Sequence, residues 1–378
     1  MFRLHMFAKR MKGVHVTGIR KMFELARSNA IHLGIGEPDF QPPAEAIEAM
    51  KRAMDSGFNK YGSITGLPQL RAALVERLKK YKSDISSEEI IITASGTEAL
   101  LTSIFTFVDK GDEVLVPNPG FPLYHTQTLL AGGKPVYYPL HEYNEFLPKV
   151  ENFKVTKNTK LLIVNTPSNP TGSVFKEDTV KELIDFAEDH NNMIVISDEV
   201  YDEIIYDDVH HSFLGKYDNM IYINSFSKIY AMTGWRLGYI AAKKDFIKEL
   251  TKMHYYTVAC PPTPTQYAAL AALESAHQFV KDMVAEFKKR RYIAVEMLNQ
   301  IKGFHCLIPK GTFYAFPHYE HKIYADELAM KILANNVICT PGTAFGSEGE
   351  YHLRFSYANS IPNIRKGLEI VREVMEKL

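Results

Sequence analysis

Residues 193–201 read MIVISDEVY, and residues 220–228 read MIYINSFSK. Each is a short apolar run that stops at a residue able to carry charge, Asp198 in the first and Lys228 in the second. Runs of this kind, rich in β-branched residues and without polar alternation, predict strands buried on both faces of a mainly parallel sheet. Ligands of such sheets gather at the carboxyl ends of the strands, so both ionisable residues stand where chemistry is expected. Outward from this pair, 89–93, 113–116, 134–138, 160–164 and 238–241 read as further strands. Between them, 98–108, 123–131 and 176–190 carry apolar residues at three- and four-residue spacing and predict helices.

The texture changes toward the C-terminus. A periodic segment from Pro264 to about Gln300 predicts one or two helices, and from about Gly303 come short strand-like pieces, a helix near 326–334 and a last helix from Ile361. The Pro-rich stretch 37–43 predicts a loop packed on the active face. The expected fold class is α/β: a large domain with a mainly parallel sheet sandwiched by helices, residues 55–285, and a smaller α+β domain, residues 286–378. Residues 1–54 are expected to pack on the small domain and the active site.

Composition narrows the function classes. With 378 residues, 46% hydrophobic and 23% charged, the chain is expected to fold as two domains with a sizeable core. Its formal net charge is zero, so the basic footprint of a nucleic-acid binder and the polybasic segment of a membrane-surface protein are both missing. Cys260, Cys306 and Cys339 are too few and too dispersed for a disulfide scaffold or a metal cluster. The opening MFRLHMFAKR has neither the apolar core nor the small-residue end of a signal peptide, and no run is long enough to span a bilayer. The expectation is a cytoplasmic protein acting on small molecules, with no metal.

Four polar stretches follow predicted strands. Lys228 precedes GWRLG at 234–238, and a lysine amine becomes a nucleophile where burial and a nearby cation such as Arg236 lower its pKa. Taken alone it reads more readily as a solvated surface lysine. Asp198 would need a cationic partner if buried, and a protonated pyridine nitrogen has the right charge and shape, but an aspartate there also suits a helix N-cap. Ser95-Gly96-Thr97-Glu98 precedes a helix, where free N–H groups, a close backbone approach and two hydroxyls can cradle a phosphate, or where a serine can simply cap. The stretch NTPSNPTG at 165–172 has the composition of a rigid turn, and it leaves the same sheet edge, within reach for Asn169 to donate to a phenolate-like oxygen.

In this order, SGTE, PSNPTG, SDEVY, SFSK and GWRLG resemble the class I/II aminotransferases of the fold-type-I pyridoxal-phosphate enzymes, of the aspartate/aromatic kind. The likeness runs nearly end to end, from GIGEPDF at 34–40 to Arg354 in HLRFS. It implies pyridoxal 5'-phosphate held covalently by Lys228, which also shuttles the proton of the α-carbon, and Asp198 on the ring nitrogen. Asn169 and Tyr201 would hydrogen-bond the ring oxygen. The Ser95-Gly96-Thr97 turn, Ser225, Ser227 and Arg236 would hold the phosphate, with Tyr61 in KYG reaching it from the partner subunit of a homodimer. Phe121, in PGFPLY, would stack on the ring, though it reads equally as a core aromatic.

Arg354 would clamp the substrate α-carboxylate with help from the Gly36 backbone and Asn169, where the residues alone also allow a structural ion pair. Val16-Arg20, Tyr124 and Gly311-Thr312-Phe313-Tyr314 are candidates to read the substrate side chain. The implied activity is ping-pong transfer of the amino group of an L-amino acid, aspartate, aromatic or a broad range, to 2-oxoglutarate. A carbon–sulfur lyase or cyclising synthase of the same fold shares these residues. A pyridoxal-phosphate-sensing transcription regulator would need an N-terminal DNA-binding module, for which the residues before Gly34 leave little room.

Overall fold

The computed structural model describes residues 7–378 except 12, 17, 19–21, 23, 26–28 and 192. At its centre is a seven-stranded sheet: β1 (Ile90–Thr93), β2 (Glu113–Asn118), β3 (Lys134–Pro139), β4 (Thr159–Asn165), β5 (Ile194–Asp198), β6 (Met220–Ser225) and β7 (Gly238–Ala242), in the spatial order β1-β7-β6-β5-β4-β2-β3. The neighbours from β6 to β3 are parallel, while β7 runs antiparallel to both β1 and β6. Along β4, Leu161 and Ile163 pack into one apolar cluster and Leu162 and Val164 into the other. The two-residue period of a strand thus feeds two cores, which is why these runs are apolar without alternation.

Helices cover both faces. α3 (Gly96–Phe107) and α6 (Lys244–Val258) supply Leu100, Ile104, Ile247 and Leu250 to one core, and α5 (Glu177–Asp189) supplies Val180, Leu183, Ile184 and Ala187 to the other. α4 (Pro122–Ala131) follows β2, with proline at its first position and Gly132 in the left-handed conformation at its end. The expected helices 98–108, 123–131 and 176–190 all form, while α1 (Ala44–Asp55), α2 (Pro68–Leu78) and α6 are additional. The segment after Pro264 resolves into two helices, α7 (Thr263–Ser275) and α8 (His277–Asn299). α8 runs unbroken through residue 285, so a boundary at that position would fall inside a helix.

The C-terminal part holds α9 (Ala325–Ala334), α10 (Ile361–Met375) and a three-stranded antiparallel sheet in which Leu353–Ser356 lies between Tyr314–Ala315 and Thr340–Pro341. Within residues 30–55 two attachments are seen. Ile31–His32 pairs in parallel with Val337–Ile338, whereas α1 lies along α7. Between those two attachments the Gly36 carbonyl accepts from Lys228, and Glu37 accepts from Thr233.

Candidate active site

Three neighbouring parallel strands deliver their polar ends to one place. Asn165 and Asp198 are register partners at the ends of β4 and β5, and Lys228 sits on the single helical turn Phe226–Ile229 that follows β6. They line a cavity of about 260 Å³ together with Gly36, Ser95, Gly96, Thr97, Phe121, Asn169, Tyr201, Ser225, Ser227, Arg236 and Arg354. Every residue expected from the sequence to hold the cofactor or the substrate carboxylate lines this cavity except Tyr61, which is 91% exposed and lies outside it; of the expected side-chain readers, Val16, Gly18, Gly311, Thr312 and Phe313 do not line it.

Asp198 starts no helix, so the capping alternative falls away. Its carboxylate is buried, accepts the Tyr124 hydroxyl at 2.8 Å and takes a long contact from the Val200 N–H at 3.4 Å. Burial pushes its pKa up to about 6, which the Tyr124 bond partly opposes. Opposite it, the Lys228 amine donates to the Gly36 carbonyl at 2.6 Å. Burial pulls this amine down to about 8; Glu37 opposes the shift, while Arg354 and Arg236 add to it. The site thus holds an acid and an amine, each closer to neutral than usual because water has been withdrawn from both.

The turn before α3 is built for an anion. Ser95 adopts a φ of 92° and makes no side-chain cap, leaving N–H groups of the first helical turn open. A non-glycine residue in that region costs on the order of 1–3 kcal/mol and is kept where function needs it. Gly238 of β7 allows the close packing beneath, since a Cβ there would meet the Gly96 nitrogen at 2.7 Å. Arg236, also left-handed at φ 54°, is exposed with one guanidinium nitrogen on the Thr233 carbonyl at 2.8 Å.

Arg354 is 1% exposed, and among the described residues no carboxylate pairs with it. It donates to Asn169 Oδ1 at 2.8 Å, to the Gly34 carbonyl at 2.6 Å and to Thr340 Oγ1 at 3.5 Å, while its Nε finds no partner. The structural ion pair is therefore absent. A buried guanidinium without an anion is costly, and the cavity is where one can reach it. Asn169 is itself held by its backbone N–H on Asn165 Oδ1 at 2.9 Å.

Several participants were not singled out by the sequence. Asn165 braces the strand ends through its amide on the Asp198 carbonyl at 2.9 Å, and Thr233 ties Glu37 to the loop of Arg236 at 3.0 Å. Tyr124 and Tyr314, expected as readers of a substrate side chain, line the cavity, but their hydroxyls are engaged by Asp198 and Tyr201. Of the expected reader stretch 16–20, Thr17, Ile19 and Arg20 lie outside the described residues. A strand-end position is visible in a sequence; which distant hydroxyl answers it is not.

Comparison with known proteins bears on the same constellation. The family described as aminotransferase class I and II matches residues 28–371. A Methanocaldococcus jannaschii protein named "Probable aspartate aminotransferase" is 46% identical over 98% of this chain and 100% of its own length. The "Aromatic-amino-acid aminotransferase 2" of Thermococcus litoralis is 37% identical over 97% of this chain and 98% of its own. Among solved structures, an aromatic aminotransferase from Pyrococcus horikoshii superposes with a TM-score of 0.89 at 37% identity, covering 95% of this chain and 99% of that one.

Proposed function

The chain belongs to the class I and II aminotransferases, and on that premise we propose that it moves the amino group of an L-amino acid, aspartate or an aromatic one, to 2-oxoglutarate by a ping-pong route through Lys228. It is a transaminase, and its cofactor is pyridoxal phosphate. The residues present fit that group. Asp198 is a buried carboxylate pushed up to about 6 for want of a cation, which a protonated pyridine nitrogen supplies. The open N–H groups at Gly96 and Thr97, the hydroxyls of Ser95, Ser225 and Ser227, and the Arg236 fork suit a phosphate. Phe121 lines the same cavity.

Pyridoxal phosphate, when bound, supplies an aldehyde carbon that takes up amines and a ring that accepts the electron pair released at a substrate's α-carbon. The chain's own residues hold and move charge around it. Arg354 takes the α-carboxylate, orienting the substrate so that its α-hydrogen meets Lys228. The Lys228 amine, pulled down to about 8, would remove that proton and deliver it to the cofactor's aldehyde carbon, two atoms away across the amino nitrogen. Asp198 would keep the ring nitrogen protonated, and Tyr201 and Asn169 would donate to the ring oxygen. A 2-oxo acid, with its own α-carboxylate, takes the same place in the reverse half.

The observation that carries the proposal is Arg354: a fully buried guanidinium with no carboxylate partner among the described residues, opening on the cavity that contains the Lys228 amine. The proposal extends to a cytoplasmic homodimer in which Tyr61 of one copy completes the phosphate site of the other. In support, the loop of Tyr61 rests on residues 254–267, where Tyr255 and Tyr256 are also exposed. The test is a screen of aspartate, the aromatic amino acids, alanine and 2-aminoadipate, each with 2-oxoglutarate. Glutamate and the matching oxo acid are expected in equal amounts from aspartate or an aromatic donor; ammonia and pyruvate from a cysteine-type substrate, without glutamate, would refute it.

A further inference from the structure

Tyr314 lies at the crossing of three parts of the site. It belongs to the strand Tyr314–Ala315, and its register partner is Ser356, two residues beyond Arg354. The residue is 1% exposed. Its hydroxyl lies 3.0 Å from that of Tyr201, and its ring lies beneath the Arg354 guanidinium at 4.3 Å from the centroid. The same hydroxyl occupies the space that a Cβ on Gly36 would need, which gives a reason for glycine there.

A phenol has one proton to give. If Tyr201 spends its own on the cofactor's ring oxygen, its oxygen is left to accept from Tyr314, and two donors in series strengthen one another. A cation over the face of the second ring draws charge from it and makes its hydroxyl the better donor. Burial pushes the Tyr314 hydroxyl up, while Arg354 pulls it back. The ring also acts on the cation above it. Together with Phe345, whose centroid is 4.8 Å from the guanidinium carbon, it gives Arg354 an aromatic seat in place of an acid.

We propose that Tyr314 is a positioning residue with two separable parts, a hydroxyl that orders Tyr201 toward the cofactor's ring oxygen and a ring that seats Arg354 for the substrate carboxylate. This rests on the roles assigned above to Tyr201 and Arg354. A donor to the ring oxygen stabilises negative charge there in place of a proton on the Lys228 nitrogen. Weakening that donor therefore raises the pH at which the proton leaves. The other charged groups facing Lys228 are Glu37, Arg354, Arg236 and Asp198, and Tyr314→Phe, which keeps the ring under Arg354, replaces none of them.

The experiment titrates the visible band of the protein loaded with pyridoxal phosphate, and separately follows loss of that band with L-aspartate or L-phenylalanine in the absence of an oxo acid. Tyr314→Phe should raise the pH midpoint by roughly half a unit to one unit, the worth of one modest hydrogen bond. The half-saturating donor concentration should change less than about threefold, because the ring remains. Tyr314→Leu, which removes the ring as well, should raise that concentration about tenfold. Tyr201→Phe should raise the midpoint, and adding Tyr314→Phe to it should move the midpoint no further. Should the leucine variant not fold, Tyr314→Met takes its place.

A wild-type protein without a pH-dependent visible band overturns the assignment of the site itself. A wild-type band whose midpoint Tyr314→Phe leaves in place, or a double variant showing the two single shifts summed, overturns the relay alone. A leucine or methionine variant with unchanged donor saturation overturns the seat.

Discussion

Replacing Tyr124 by phenylalanine removes one hydroxyl from the core and leaves the ring, which is 1% exposed and edge-on to Phe121 at 5.8 Å. That hydroxyl is the closest donor to Asp198, at 2.8 Å from Oδ2. A hydrogen bond to a charged acceptor is worth about 1.5–3 kcal/mol, and one pKa unit is about 1.4 kcal/mol, so its loss should raise the Asp198 pKa by roughly one to two units. From the present value of about 6, the carboxyl would then titrate near or above neutrality. At pH 7 its ionised share would fall from about nine tenths to between about a half and a tenth. Pyridoxal phosphate with a protonated ring nitrogen needs the ionised form, so its affinity should drop about two- to tenfold at pH 7 and recover by about pH 9. The measurement is the dissociation constant of pyridoxal phosphate from cofactor-free protein across that range, with melting temperature as a check on the fold. Equal affinities at pH 7, or a loss of the same size at every pH, would refute the assignment of Tyr124 as the residue that keeps Asp198 ionised.

Lys228→Ala should abolish turnover and the covalent fixation of cofactor by borohydride, and a turnover-competent alanine variant would remove Lys228 from the chemistry. Arg354→Leu should raise KM for every amino donor by about a hundredfold, the worth of a paired guanidinium–carboxylate contact, while cofactor affinity stays within about threefold; an unchanged KM would exclude it as the clamp. In the cofactor-free protein, Asp198 is raised from 3.8 to about 6, so the stability it contributes is whole at low pH and is lost as pH rises through that range. Lys228 is lowered from 10.5 to about 8, so its contribution is missing below about 8 and is regained as pH rises toward 10.5. Between about 6 and 8 both penalties act together, and the gain in melting temperature on adding pyridoxal phosphate should peak there; a gain that is flat across pH would contradict the charges assigned to this pair.

The strands of the large sheet were legible almost to the residue. Their runs 160–164 and 220–224 are mostly apolar because both sheet faces are buried, and β4 and β6 form there. α1 was harder to see. Its buried stripe is Ala46, Ala49 and Ala53, small residues whose signal is weak, and it packs against another helix rather than the sheet. α6 uses Ile247, Leu250 and His254, and the histidine is buried only because Glu98 and the Ile64 carbonyl meet its two nitrogens at 3.1 and 2.9 Å. No periodicity reveals such a partner.

Within the site the division is the same. A strand that ends in Asp198, a turn that opens with Ser95-Gly96, a lysine directly after β6 and an arginine inside an apolar strand are local facts, dictated by covalent order and by the pleat. What each side chain is set against was decided only when the chain closed on itself: Tyr124 reaches Asp198 across 74 positions, Tyr314 reaches Tyr201 across 113, and Asn169 reaches Arg354 across 185. Those pairings depend on where separate strands come to rest in a shared sheet edge and its cover. That placement is fixed by the packing of two cores, whose residues carry no mark of which polar groups they bring together.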